Sequence, residues 1–140
     1  MEVKFSTRSA EQLKIPPASM SGVIFGTVFS DHMFCMEWEE GKGWHNAEIK
    51  PYGPLMLEPS SMVLHYAQMS FEGLKAYQTD SGEHVLFRPR ENFKRMNRTS
   101  LRMCLPELDV EEVLTALKKL LRLDSGWVPN EAGTSLYIRP

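Results

Sequence analysis

Arginines gather where an anion can be held. Arg95, Arg98 and Arg102 recur at i, i+3 and i+7, which puts them on one face of a helix. Arg88, Arg90 and Lys94 stand beside them. Of the seven charged residues between Arg88 and Cys104, only Glu91 is acidic. Charge by itself leaves three readings open: a solvated helix face, an anion site, or contact with nucleic acid. Guanidinium groups match phosphate oxygens in bidentate geometry, so one arginine held by a helix is a sound phosphate anchor. Nucleic acid has less behind it, because the stripe is short and carries no interleaved aromatics for base stacking. The second candidate lies at Thr134–Arg139. The strand period of two sends Ser135, Tyr137 and Arg139 to one face. An arginine and a tyrosine side by side suit a carboxylate, which pairs with the first and accepts a hydrogen bond from the second. The outward polar face of an edge strand explains the same pattern. His32, His45, His65 and His84 are scattered, and His32 and Cys35 fall on opposite faces of a strand. No metal site is expected. There is no nucleophile elbow, no Walker loop and no G-x-G-x-x-G.

The elements that must position these groups follow from pattern. The polar first twenty residues, ending in Ile15-Pro16-Pro17, read as a flexible arm, with structure beginning near Val23. Val23–Phe29 is rich in β-branched and aromatic residues and predicts a strand. Met33–Trp38 predicts a second strand, Glu39–Gly43 a turn, and Trp44–Ile49 its hairpin partner. Leu74–Gln78 and Val85–Arg88 flank Asp80-Ser81-Gly82, a hairpin signal. The period then changes. Glu91–Cys104 predicts a helix with Pro89 near its start and Pro106 ending it. Val110, Val113, Leu114, Leu117, Leu120 and Leu121 recur at helical spacing. Asp109 is placed to cap that helix, and Glu112 completes a capping-box pattern. Strands first and helices later predict an α+β fold: a largely antiparallel sheet with helices packed on one face.

Composition narrows the classes of function. The 140 residues suit one domain, and 16 basic against 18 acidic residues give a formal net charge of -2. That balance argues against a globally basic nucleic-acid binder and against an acidic disordered tail. No apolar run approaches the ~20 residues needed to span a bilayer, so no membrane partner is expected. Two cysteines make no disulfide scaffold, and a cytoplasmic protein with free thiols is the expectation. An apolar strand with no polar residues after it suggests a piece of something longer.

Several stretches also resemble one family. Phe25-Gly-Thr-Val-Phe-Ser-Asp-His-Met33 resembles the opening motif of branched-chain amino acid aminotransferases. So do Leu64-His-Tyr66 with Phe71-Glu-Gly-Leu-Lys-Ala-Tyr77, Leu86-Phe-Arg-Pro89 with Asn92-Phe-Lys-Arg-Met96, and Trp127-Val-Pro129 with Ser135-Leu-Tyr-Ile-Arg-Pro140. The resemblance implies that residues 21–140 are the small N-terminal domain of a two-domain, class IV (fold type IV) pyridoxal-phosphate enzyme. Such an enzyme moves an amino group between leucine, isoleucine or valine and 2-oxoglutarate, and the family is typically dimeric. Position by position, Arg95 matches the arginine that binds the cofactor phosphate. Phe25, Tyr66, Phe71 and Tyr137 match walls of the apolar substrate pocket. Arg139, with Tyr137, matches a pair that helps accept the substrate carboxylate. In this family the lysine that holds the cofactor covalently lies in the C-terminal domain, and none of the eight lysines here occupies its place. No catalytic residue is therefore assigned. The isolated chain is expected to be inactive, to bind cofactor weakly, and to self-associate through an exposed apolar patch. The competing expectation is a non-enzymatic oligomerisation or anion-binding module acting through the basic helix 90–104.

Overall fold

The computed structural model describes residues 1–140. Two three-stranded sheets share one helix. In the first sheet, β2 (His32–Glu39) and β3 (Gly43–Pro51) form the expected antiparallel hairpin, and β1 (Lys4–Phe5) adds to β3 in parallel. The α1 helix is short (Met62–Tyr66). The second sheet places β4 (Leu74–Gln78) between β5 (His84–Leu86) and β6 (Leu136–Ile138), with both pairings antiparallel. Helices α2 (Pro89–Arg102) and α3 (Val110–Leu123) complete the chain. The α+β character read from the sequence stands, with two small sheets in place of one.

The α3 helix joins the halves because its apolar stripe is wide enough to serve two cores. Val113, Leu114, Leu117 and Leu121 pack with Leu74, Ala76, Phe93 and Val128 beneath the second sheet. Ala116 turns instead to Val3, Ala47 and Ile49 of the first. Ala116 is fully buried in this cluster, which Phe34 and Met36 of β2 and Leu120 of α3 border. Asp109 caps α3 by accepting from the backbone N–H groups of Glu111 and Glu112. The reciprocal half of the predicted capping box is not made. The Glu112 carboxylate pairs with the N-terminal amine of Met1.

Three other expectations are corrected. Val23–Phe29 is not a strand. Its backbone turns at Gly22 and Gly26, both at positive φ, and Thr27 N–H donates to the carbonyl of Ile24. Apolar residues there have no neighbouring strand, so their β-propensity has nothing to pair with. The first residues are not a free arm. Val3 is buried, β1 is paired, and Lys14 Nζ donates to the carbonyls of Phe29 and Ser30. Nor does Pro106 end α2. The helix closes earlier, where Leu105 N–H reaches the carbonyl of Ser100 and Cys104 N–H that of Leu101, with Cys104 at φ 56°. This is the left-handed closure usually given to glycine, and Pro106 follows it.

Candidate functional site

The site is built on the sheet edge and the helix that packs on it. In β6, Leu136 and Ile138 face the core while Tyr137 lies on the opposite face, as the period of two required. Glu72 N–H donates to the carbonyl of Pro140, which carries the β4–β6 pairing two residues beyond β4. The tripeptide Phe71-Glu72-Gly73 is therefore fixed alongside Tyr137–Pro140.

Each residue of that tripeptide holds one predicted group. The Arg139 guanidinium lies over the Phe71 ring, 4.8 Å from its centroid, and 5.1 Å from that of Tyr137. Arg139 Nε also donates to Tyr137 Oη at 3.2 Å. Gly73 lies against the Tyr137 phenol so closely that an added Cβ would sit 2.3 Å from Oη. Phe25 meets the same ring edge-to-face at 5.0 Å. Glu72 turns the other way, toward α2, and receives Arg95: Nε donates to Oε2 at 2.7 Å and Nη2 donates to Oε1. Glu72 is buried, and its Oε1 also accepts from Gly73 N–H at 2.9 Å. Hydrogen bonding from Arg95 holds the Glu72 carboxyl below the ordinary carboxylate range against the opposing pull of burial. Asn92 ties α2 to this turn through the Gly73 carbonyl at 3.1 Å.

Phe25, Phe71, Tyr137 and Arg139 thus come together, and Arg95 is reached through the same tripeptide. Tyr66 is not brought in. It ends α1, 75% exposed, and has no part in these ring contacts. An open groove of about 1040 Å³ takes in Phe25, Tyr137 and Arg139 but not Phe71, Tyr66 or Arg95. On α2, Phe93 and Ser100 face inward, while Arg95, Arg98 and Arg102 share the exposed side. Arg90 pairs with Glu111 and Lys94 with Glu91, so much of the basic helix is already neutralised locally.

Two sets of residues were not singled out from sequence. Glu72 is one: a lone acid 23 positions before its arginine leaves no periodic trace. The other anchors the chain just after the loop that bears Phe25. His32 Nδ1 donates to Asp124 at 2.6 Å, and its Nε2 accepts from Arg8 N–H at 3.1 Å. Asp31 accepts from Trp127 Nε1 at 2.9 Å and Lys14 N–H at 3.0 Å. Burial pushes the Asp31 carboxyl up, but these donors and the Lys14 charge outweigh it and hold it below its usual value. Partners lying up to 96 residues apart are invisible to a local reading.

No family model matches the chain. Branched-chain-amino-acid transaminase 1 of Bacillus subtilis is 58% identical over 120 residues, which cover 86% of this chain and 34% of that protein. The cytosolic branched-chain-amino-acid aminotransferase of Saccharomyces cerevisiae is 49% identical over 124 residues, 89% of this chain and 33% of that one. A crystal structure of the Escherichia coli branched-chain amino acid aminotransferase superposes with a TM-score of 0.53 at 26% identity, covering 66% of this chain and 28% of that chain. The chain spans about a third of the length of the curated relatives it matches.

Proposed function

Because the chain is related to the branched-chain-amino-acid aminotransferases over a third of their length, we propose that it is the N-terminal small domain of such an enzyme. Residues 21–140 form the body of that domain. The whole protein exchanges an amino group between leucine, isoleucine or valine and 2-oxoglutarate. It is a class IV, dimeric, cytoplasmic enzyme using pyridoxal 5'-phosphate. No helix here is long and apolar enough to cross a membrane, which is compatible with that location.

The donor set fits the phosphate end of the cofactor. Glu72 occupies two of the five N–H groups of Arg95, and the other three have no protein partner. They lie on a side chain 60% exposed, where a phosphate oxygen can be met. When bound, the cofactor supplies the carbonyl that carries the amino group and the ring that spreads the electron pair released at the substrate carbon. This chain's residues bind and orient. Arg139 and Tyr137 present a charged donor and a phenol to a carboxylate, while Phe25, Phe71 and the exposed Tyr66 offer apolar surface to a branched side chain. The proton-moving lysine is assigned to the remainder of the enzyme, so this chain alone is inactive and holds the cofactor weakly.

The observation that carries the reading is the unpartnered N–H edge of Arg95, tied by one tripeptide to Tyr137 and Arg139. Its test is Arg95→Ala in the full-length enzyme. Cofactor retention through gel filtration, followed by absorbance, should fall at least tenfold while the circular dichroism is unchanged. Unaltered retention overturns the assignment. A non-enzymatic oligomerisation or anion-binding module acting through the basic helix is not better supported, since Arg90 and Lys94 of α2 already face acids.

A further inference from the structure

We propose that Glu72 is a positioning residue for Arg95, setting the plane in which that guanidinium meets the cofactor phosphate. The inference rests on the reading of Arg95 given above. A guanidinium has two donor edges suited to bidentate contact, one formed by Nε and Nη2 and one by Nη1 and Nη2. Glu72 takes the first edge, with Nε at 2.7 Å from Oε2. The second edge is left whole and points away from the carboxylate. A phosphate can therefore be held bidentately while Glu72 stays in place.

The carboxylate is itself well braced. Its residue is buried, Oε1 accepts from Gly73 N–H at 2.9 Å, and the Glu72 backbone is pinned to Pro140. Asn92, one turn before Arg95 on α2, holds the Gly73 carbonyl. A long side chain that is 60% exposed at the surface of a helix ordinarily samples many rotamers. Here its inner edge is fixed to a rigid turn and its outer edge is presented in one orientation. Preorganisation of this kind strengthens binding by removing the ordering cost beforehand.

A negative charge beside a phosphate site has an opposing effect, and the sign of the mutant response separates the two. If Glu72 only neutralises Arg95, removing its charge strengthens anion binding. If it positions Arg95, removal weakens binding even though a repulsive charge has gone. The experiment uses the 140-residue chain with 15N-labelled arginine, titrated with inorganic phosphate and followed at the Arg95 side-chain signals. In the unsubstituted chain, phosphate should shift the Nη signals saturably while Nε–Hε, held by Glu72, stays in place. In Glu72→Gln the Nε–Hε signal should broaden and the phosphate affinity should fall threefold or more. Glu72→Asp, which keeps the charge, should recover part of it. Unchanged backbone amide signals of α2 in both variants exclude a folding defect, and if Glu72→Gln disturbs them, Glu72→Asp decides. Unchanged or tighter phosphate binding in Glu72→Gln overturns the proposal and leaves Arg95 as the anchor. Absence of any Arg95 response to phosphate in the unsubstituted chain overturns the anchor as well.

Discussion

Gly73→Ala tests whether the tripeptide and the Tyr137–Arg139 pair form one packed unit. The glycine backbone is not in the left-handed region, so alanine is permitted there, and only space opposes it. A Cβ would lie 2.3 Å from Tyr137 Oη, 3.0 Å from Cζ and 3.2 Å from Cε2. The phenol has to retreat by about 1 Å to restore ordinary contact. Because two ring carbons are also crowded, rotating the hydroxyl does not help and the ring must swing. Phe25 stands edge-on at 5.0 Å and Arg139 Nε holds the hydroxyl at 3.2 Å, so the swing disturbs both contacts. Overpacking of this kind costs about 1–3 kcal/mol. The exposed hydrogen bond adds about 0.5 kcal/mol, at the low end of its usual range. A loss of about 2 kcal/mol is expected in urea unfolding, with an unchanged slope. The double-mutant cycle is the sharper assay. Tyr137→Phe removes the atom at 2.3 Å but leaves the ring, so Gly73→Ala should cost about 1 kcal/mol less in that background. An equal cost in both backgrounds refutes the reasoning, because it would mean that the phenol does not occupy the space above Gly73.

Acid and cap variants probe the supports. The folded Glu72 carboxyl lies below its ordinary value, so its stabilising contribution is present above that ordinary value and is lost as pH falls through the folded one. The stability advantage of the unsubstituted chain over Glu72→Gln should therefore be full above the ordinary glutamate value and shrink as pH falls through the lower folded one, as read from urea midpoints; a constant difference contradicts the ion pair. Asp109→Ala removes the acceptor for two α3 backbone donors and should cost about 1 kcal/mol. Because α3 serves both cores, near-ultraviolet dichroism and far-ultraviolet dichroism should lose their signals together.

Local chemistry made much of this fold legible. The α3 stripe, the Asp109 cap, Pro89 at the first turn of α2 and both hairpins follow from residues within a few positions of one another. Tyr137 and Arg139 were read onto one strand face by period alone, and they lie together. What failed was non-local. Val23–Phe29 has strand composition but no strand beside it, and two glycines at positive φ turn it aside. The first residues look polar and loose until Val3 meets Ala116. The partner of Arg95 could not be named, since a bidentate acid on a different element obeys no spacing rule. Pro106 signals an end to α2 in the sequence, whereas Cys104 in a left-handed closure carries no such signal.

The distribution of burial divides the site into two kinds of part. Only 17 of 140 residues are buried, so groups without a dedicated brace are weakly held. The polar groups have braces: Arg95 stands on α2 against Glu72, and Tyr137 and Arg139 stand on β6 and its extension, which pair with β4 and Glu72. Among the aromatic residues, Phe71 shares the frame of Glu72, while Phe25 stands on less supported chain. Phe25 is 73% exposed and Phe71 62% exposed, and neither lies in a helix or strand. Under the proposed function this division is physically apt. Ion pairs and hydrogen bonds weaken steeply with misplacement, so the anchors for a phosphate and a carboxylate need a rigid frame. Apolar contact is non-directional, so a wall that accepts leucine, isoleucine and valine in turn gains from being adjustable. Stiffening the Phe25 loop should therefore narrow the choice among branched side chains before it alters the hold on the phosphate.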